Sequence, residues 1–162
     1  MNRIAILLGL AAIAGSATAT PPGFDAAMVG NLKKLNTALP LPTWIPDGFK
    51  AEIHEQTFNV NGQRYITIEY KQKNLAKSFA LQFASVHLGT PIFADEKARP
   101  ARVPFTSSGL GKSHFMTATV RGLPECQTPW ISLKREGAPK FASFVSLGIQ
   151  SGVAKRILES VK

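Results

Sequence analysis

The chain has 162 residues, 44% of them hydrophobic, with a single cysteine and 19 Lys and Arg against 10 Asp and Glu. One cysteine excludes an internal disulfide framework, and a chain of this length does not need one, since a domain of about 150 residues buries about 68% of the surface it exposes when unfolded. The net charge of +9 predicts attraction to anionic lipid, acidic polymers, nucleic acid or acidic proteins, weakening as salt rises.

Residues 1–19 carry a charge at Arg3, an apolar run from Ile4 to Ala14, and small residues ending in Ala17-Thr18-Ala19. This is the pattern of a secretory signal with cleavage after Ala19, and its apolar run is well short of the roughly 20 residues that cross a bilayer. Cleavage leaves residues 20–162 as one globular domain, with eighteen basic against ten acidic side chains and a net charge of +8. The only cysteine, Cys126, lies far from that cleavage point, so a lipid anchor is not expected. The predicted location is extracytoplasmic, periplasmic or secreted. Export in the unfolded state argues against a cofactor loaded beforehand, and none is expected.

Met28, Leu32, Leu35 and Leu39 fall on one stripe and predict a helix over 24–39. Prolines at 40, 42 and 46 make residues 40–48 an extended connector. Ala51–Val60 and Gln63–Gln72 flank Asn61-Gly62, which predicts a two-residue hairpin. That register sets Ile53 opposite Tyr70, Glu55 opposite Ile68 and Thr57 opposite Ile66 on a core face. It sets His54 opposite Glu69 and Glu52 opposite Lys71 on the other face. Further strands are predicted at 78–86, 114–121, 130–134 and 141–147, with a loop and one irregular strand near Arg102–Thr106 inside residues 88–113. Val153, Ile157, Leu158 and Val161 predict a closing helix over 149–162. The sum is an α+β domain, an antiparallel sheet of about six strands over 49–147 with an N-terminal and a C-terminal helix packed on it.

No assembled catalytic motif is visible. Thr106-Ser107-Ser108-Gly109-Leu110-Gly111-Lys112-Ser113 ends like a phosphate-binding loop, but Thr106 stands where the first glycine belongs, and a Gly-rich turn is the simpler reading. His54, His87 and His114 have no metal-ligand spacing, and His54 has a simpler role as cross-strand partner of Glu69. Ser113 and His114 are strand neighbours and point to opposite faces. The carboxylates are scattered. Cys126, in a turn-like stretch after Pro124 and Glu125, reads as a buried small side chain, with a free thiol or an intermolecular bridge as alternatives. Trp44 and Trp130 read as core, with an aromatic platform as the alternative. Lys71, Lys73 and Lys77 beside one turn, with Lys97, Arg99 and Arg102 in the Pro-rich loop, would form a cationic patch if the two loops meet at one end of the sheet.

Pro46-Asp47-Gly48-Phe49, the hairpin ending Ile68-Glu69-Tyr70, and Val145-Ser146-Leu147-Gly148-Ile149 leading into Ala154-Lys155-Arg156-Ile157-Leu158-Glu159-Ser160 resemble a small bacterial domain of unknown function. That domain occurs at the extracytoplasmic end of membrane-anchored, anti-sigma-like proteins. The resemblance covers residues 43–162, implies a proline-led opening, a sheet and a closing helix, and assigns no catalytic or binding residue. This chain departs from that pattern in having no membrane anchor, which leaves a signalling role unsupported.

The functional expectation is a non-enzymatic cell-envelope or secreted binding module. Its partner would be a protein or an anionic polymer, met through the open face of the sheet or its loop end. The alternatives are a basic polyanion-binding protein and a hydrolase with a spatially assembled site.

Overall fold

The computed structural model describes residues 20–58, 63–73, 76–89 and 100–162. Residues 1–19, the Asn61-Gly62 turn, Lys97 and Arg99 lie outside them. In chain order come helix α1 (Ala26–Lys34), strands β1 (Phe49–Phe58), β2 (Gln63–Gln72), β3 (Ser78–Ala84), β4 (Ala101–Ser107), β5 (Gly111–Val120), β6 (Leu123–Gln127), β7 (Ile131–Ser132) and β8 (Phe141–Leu147), and helix α2 (Ser151–Glu159). The strands form one antiparallel sheet in the order β1-β2-β3-β8-β6-β5-β4, with β7 also paired to β8. The predicted α+β class is what the structure has.

Alternation decides which face is which. Ile66, Ile68 and Tyr70 of β2 and Phe79, Leu81 and Phe83 of β3 are all at most 1% exposed and point to the side covered by the helices. Tyr70 and Phe79 stack with ring centroids 4.5 Å apart, and Phe79 meets Phe144 of β8 at 5.9 Å. α2 closes this core with Ala154, Ile157 and Leu158, while α1 packs at the β1 side. Burying each such aromatic or aliphatic side chain contributes about 1.5–3 kcal/mol.

Both helices are shorter than their apolar stripes suggest. α1 starts where the Asp25 carboxylate accepts from the Met28 N–H at 2.8 Å, and it ends before Asn36, whose φ of 47° breaks the spiral. Leu39 therefore packs on the core from the connector rather than from the helix. After α2, Val161 stays fully buried but pairs as a β-bridge with Pro42, tying the chain end to that connector.

The β1–β2 register differs from the expected one by two residues: Ile53 faces Ile68, Glu55 faces Ile66, Glu52 faces Glu69 and His54 faces Thr67. Four residues rather than two separate the paired ends, Phe58 and Gln63. A shift of two keeps every side chain on its face, which is why Ile66, Ile68 and Tyr70 still point inward. The turn-like stretch expected around Pro124, Glu125 and Cys126 is part of strand β6, inserted between β8 and β5. It pairs with β8 only through Glu125–Gln127, so Pro124 lies beyond that ladder and its missing N–H is tolerated. The irregular segment near Arg102–Thr106 is a regular edge strand, β4, whose Pro104 removes one donor from the sheet edge. The strand expected at 130–134 shrinks to the two residues of β7.

Candidate functional site

The face of the sheet turned away from the helices carries the candidate site. One row of directly paired residues crosses it: Glu52 and Glu69, then Ala80, Val145, Gln127, Met116 and Arg102. The row beside it holds Lys71, Ser78, Leu147, Glu125 and Ala118. Small residues in mid-sheet therefore form a floor between charged flanks. The result is a groove of about 530 Å³, floored by Ala80 and Val145, walled by Val120, Leu123 and Leu147, and rimmed by Glu69, Glu125 and Arg121. Leu123 and Leu147 are 36% and 40% exposed, and among the described residues only Leu88 is a more exposed large apolar side chain.

At the β1–β2 side, Glu52 and Glu69 stand directly opposite each other, a like-charge pair that weakens a sheet unless balanced. The Lys71 ammonium balances it, 3.0 Å from Glu69 and 3.4 Å from Glu52, and the hydrogen bond to Glu69 holds the lysine's pKa above its usual range. His54 Nε2 joins them at 3.4 Å from Glu69 and 3.6 Å from Glu52. Glu52, His54 and Glu69 could together offer a metal ion three donors within 4.8 Å of one another. The chain's own ammonium already sits among these carboxylates, so the group is a balanced surface cluster as it stands. Both expected contacts, His54 with Glu69 and Lys71 with Glu52, are present, as diagonal rather than directly opposed pairs.

At the far side of the face, Arg102 Nη2 donates to His114 Nδ1 at 3.0 Å. Burial, and then the nearby guanidinium, hold the His114 pKa below its ordinary value. In the groove itself, the Gln127 amide nitrogen donates to Glu125 and fixes that carboxylate at the rim. Gln82 and Ser143, one row away, hydrogen-bond at 2.9 Å.

The six cationic residues singled out in the sequence do not converge among the described residues. Lys71 is held by two carboxylates, while Lys73 and Lys77 are exposed beside the β2–β3 turn. Arg102 leaves from the same end of the sheet but from β4, five strand steps of about 4.8 Å from β2, roughly 24 Å away. Lys97 and Arg99 lie outside the described residues. Cys126 is fully buried and free, its Sγ 3.5 Å from Thr117 Oγ1, and burial raises its thiol pKa. The histidines stand apart from nucleophiles: His87 Nδ1 accepts from the Gly89 N–H, and among the described residues none of the three has a hydroxyl or thiol partner. Trp44 lies under the Arg156 guanidinium at 3.8 Å, and Trp130 packs edge-on against Tyr65 at 6.4 Å.

No family model, curated protein or solved structure matches the chain. Among the described residues no helix is long and apolar enough to cross a membrane. The groove was not legible in the sequence, because its floor joins β3, β8 and β6, whose contacts span dozens of residues of chain. The available signal was the two-residue spacing of Leu123 and Glu125 and of Val145 and Leu147, which puts three apolar side chains and a carboxylate on one face once β6 is recognised as a strand.

Proposed function

We propose that this chain is an exported, non-enzymatic binding module of the cell envelope that takes an apolar anchor of a partner protein in the groove on its open sheet face. The observation that carries this reading is the pairing of a preformed concavity of about 530 Å³ with two exposed leucines, Leu123 and Leu147, at its walls. Volumes of roughly 300–1,000 Å³ suit a compact ligand or a few large side chains, and exposed apolar patches rimmed by charge mark interaction surfaces. With Glu69 balanced by Lys71, Glu125 and Arg121 leave one charge of each sign at the rim, so the apolar walls carry the recognition. The signal-like residues 1–19 support export, and the separation of the histidines from nucleophiles supports a binding rather than a hydrolytic role.

Two measurements test the reading. The mass of the protein recovered from its own cells should place Thr20 at its N-terminus. A partner crosslinked to the wild-type protein at high salt should be lost from Leu123→Ser/Leu147→Ser, which puts no like charge opposite Glu125 and whose folding is checked by its melting temperature beside the wild type's. Recovery of the same partner by that variant, or a retained N-terminal segment, would refute the corresponding half of the reading.

A further inference from the structure

The stretch Thr106–Ser113 turns between antiparallel β4 and β5, with Ser107 paired to Gly111, and so lacks the strand-to-helix geometry of a nucleotide loop. It does form one wall of a second concavity. Ser108–Lys112 on one side and Ile131–Arg135 on the other enclose about 700 Å³ at the end of the sheet opposite the β2–β3 turn. Lys112, Lys134 and Arg135 line it, and all three are exposed. Among the described residues none of them has a carboxylate within ion-pair distance, whereas Arg64, Lys71 and Lys155 each have one. Three cations without an ion-paired carboxylate, set around one concave surface, focus a positive potential into it.

Both walls are held in place without a ligand. The Gly109 N–H donates to the Val161 carbonyl at 3.0 Å, and the Leu110 N–H donates to Ser107 Oγ at 2.9 Å. A Cβ on Gly109 would come within 2.9 Å of both Pro40 and the Lys162 backbone, so this turn is seated against those two residues. On the other wall, the Leu133 N–H donates to the Lys140 carbonyl at 2.8 Å, and the Ala38 N–H donates to the Gly137 carbonyl at 3.0 Å. The cations project from backbone that needs no ordering on binding, which favours affinity.

We infer that this cleft binds an oligophosphate, a chain of linked phosphate groups carrying at least three negative charges. Lysine and arginine suit phosphate oxygens, and the hydroxyl of Ser132, an exposed residue, can donate to the same oxygens, while the Ser108 hydroxyl is turned to the Val161 carbonyl at 3.5 Å. A lone phosphate would leave much of 700 Å³ unfilled. Among the described residues no aromatic side chain lines the cleft, so they offer nothing there on which nucleic-acid bases would stack. This site is independent of the groove on the open face and shares no residue with it.

The test is calorimetric titration of the protein, as purified from its host, with tripolyphosphate, beside inorganic phosphate and a thymidine oligonucleotide at the same ionic strength. Saturable binding of tripolyphosphate is expected, tighter than either comparison. Lys112→Ser/Lys134→Ser/Arg135→Ser should weaken it about tenfold or more, as the loss of three exposed charge contacts implies. Lys71→Ser/Lys73→Ser/Lys77→Ser, which removes the same charge at the other end of the sheet, should leave it within about twofold, as a surface site away from the cleft implies. Amide shifts on adding tripolyphosphate to the unaltered protein should centre on 108–112 and 132–135, a readout that does not depend on any variant folding. Equal losses in the two triple variants, equal or tighter binding of the oligonucleotide, shifts centred elsewhere, or no saturation would each overturn the assignment.

Discussion

Thr128 bonds Phe144 twice: its N–H donates to the Phe144 carbonyl at 2.9 Å, and its side-chain hydroxyl accepts from the Phe144 N–H at 2.8 Å. The chain takes four steps from Gln127 to Ile131 while β8 takes three from Val145 to Ala142, so one extra residue is accommodated between β6 and β7 as a bulge. At that point the hydroxyl replaces the missing backbone acceptor. Both residues are buried, so Thr128→Val leaves the Phe144 N–H unpaired and should cost about 1–3 kcal/mol in urea unfolding, while Thr128→Ser should retain most of the stability. Equal stability of the valine and serine variants would count against this role.

Tyr70 presents the opposite case. It is fully buried in the core and stacked on Phe79, yet among the described residues its hydroxyl has no hydrogen-bond partner, and burial drives its pKa upward. Removing a buried, unpartnered hydroxyl relieves a desolvation cost while keeping the ring stack. Tyr70→Phe should therefore be neutral or stabilising, by up to about 1–3 kcal/mol. A clear loss of stability on thermal unfolding would mean that the hydroxyl has a bonding role.

Gly148 follows β8 with φ of 71°, and a Cβ there would lie 2.5 Å from the Ala76 carbonyl oxygen. Gly137 has nearly the same φ, 72°, and open space around it. Gly137→Ala should cost only the left-handed strain, about 1–2 kcal/mol, and Gly148→Ala distinctly more, because backbone must also move. Denaturant midpoints of the two variants separate strain from collision.

The same physics sorts what the sequence could reveal. Ile66, Ile68 and Tyr70 alternate within one strand, so their inward face was readable, and a two-residue error in register left it intact. β6 was not readable, because Leu123–Gln127 is short, contains Pro124, and exists as a strand only through partners on β5 and β8. The six-residue cationic patch assumed that loops leaving one end of a sheet meet. The order β2-β3-β8-β6-β5-β4 puts four strands between Lys71 and Arg102, and no local pattern encodes that order. The groove and the cleft depend on the same long-range pairing. The phosphate-loop-like stretch was correctly read as a turn, but the cations across from it, Lys134 and Arg135, are brought there by β7 pairing with β8.

His114 gives the fold a pH dependence. Facing it are Arg102, whose Nη2 donates to Nδ1 at 3.0 Å, Pro104 directly opposite, and Lys112 and Met116 two residues to either side on its own strand. With Nδ1 accepting, the neutral ring carries its proton on Nε2, and protonating Nδ1 would break the bond to Arg102. Burial first, and the Arg102 charge second, hold the folded pKa below the ordinary 6.5. As pH falls through 6.5 the unfolded chain takes up a proton that the folded chain still refuses, so this residue's contribution to stability decreases between that value and its lower folded pKa. A proton NMR titration should show His114 below 6.5 and moving upward in Arg102→Gln. His114→Gln should lose less stability than the wild type between about pH 7.5 and about pH 5, limits on either side of the ordinary histidine value. A His114 pKa at or above its ordinary value, unmoved by Arg102→Gln, would show that neither burial nor the guanidinium controls it.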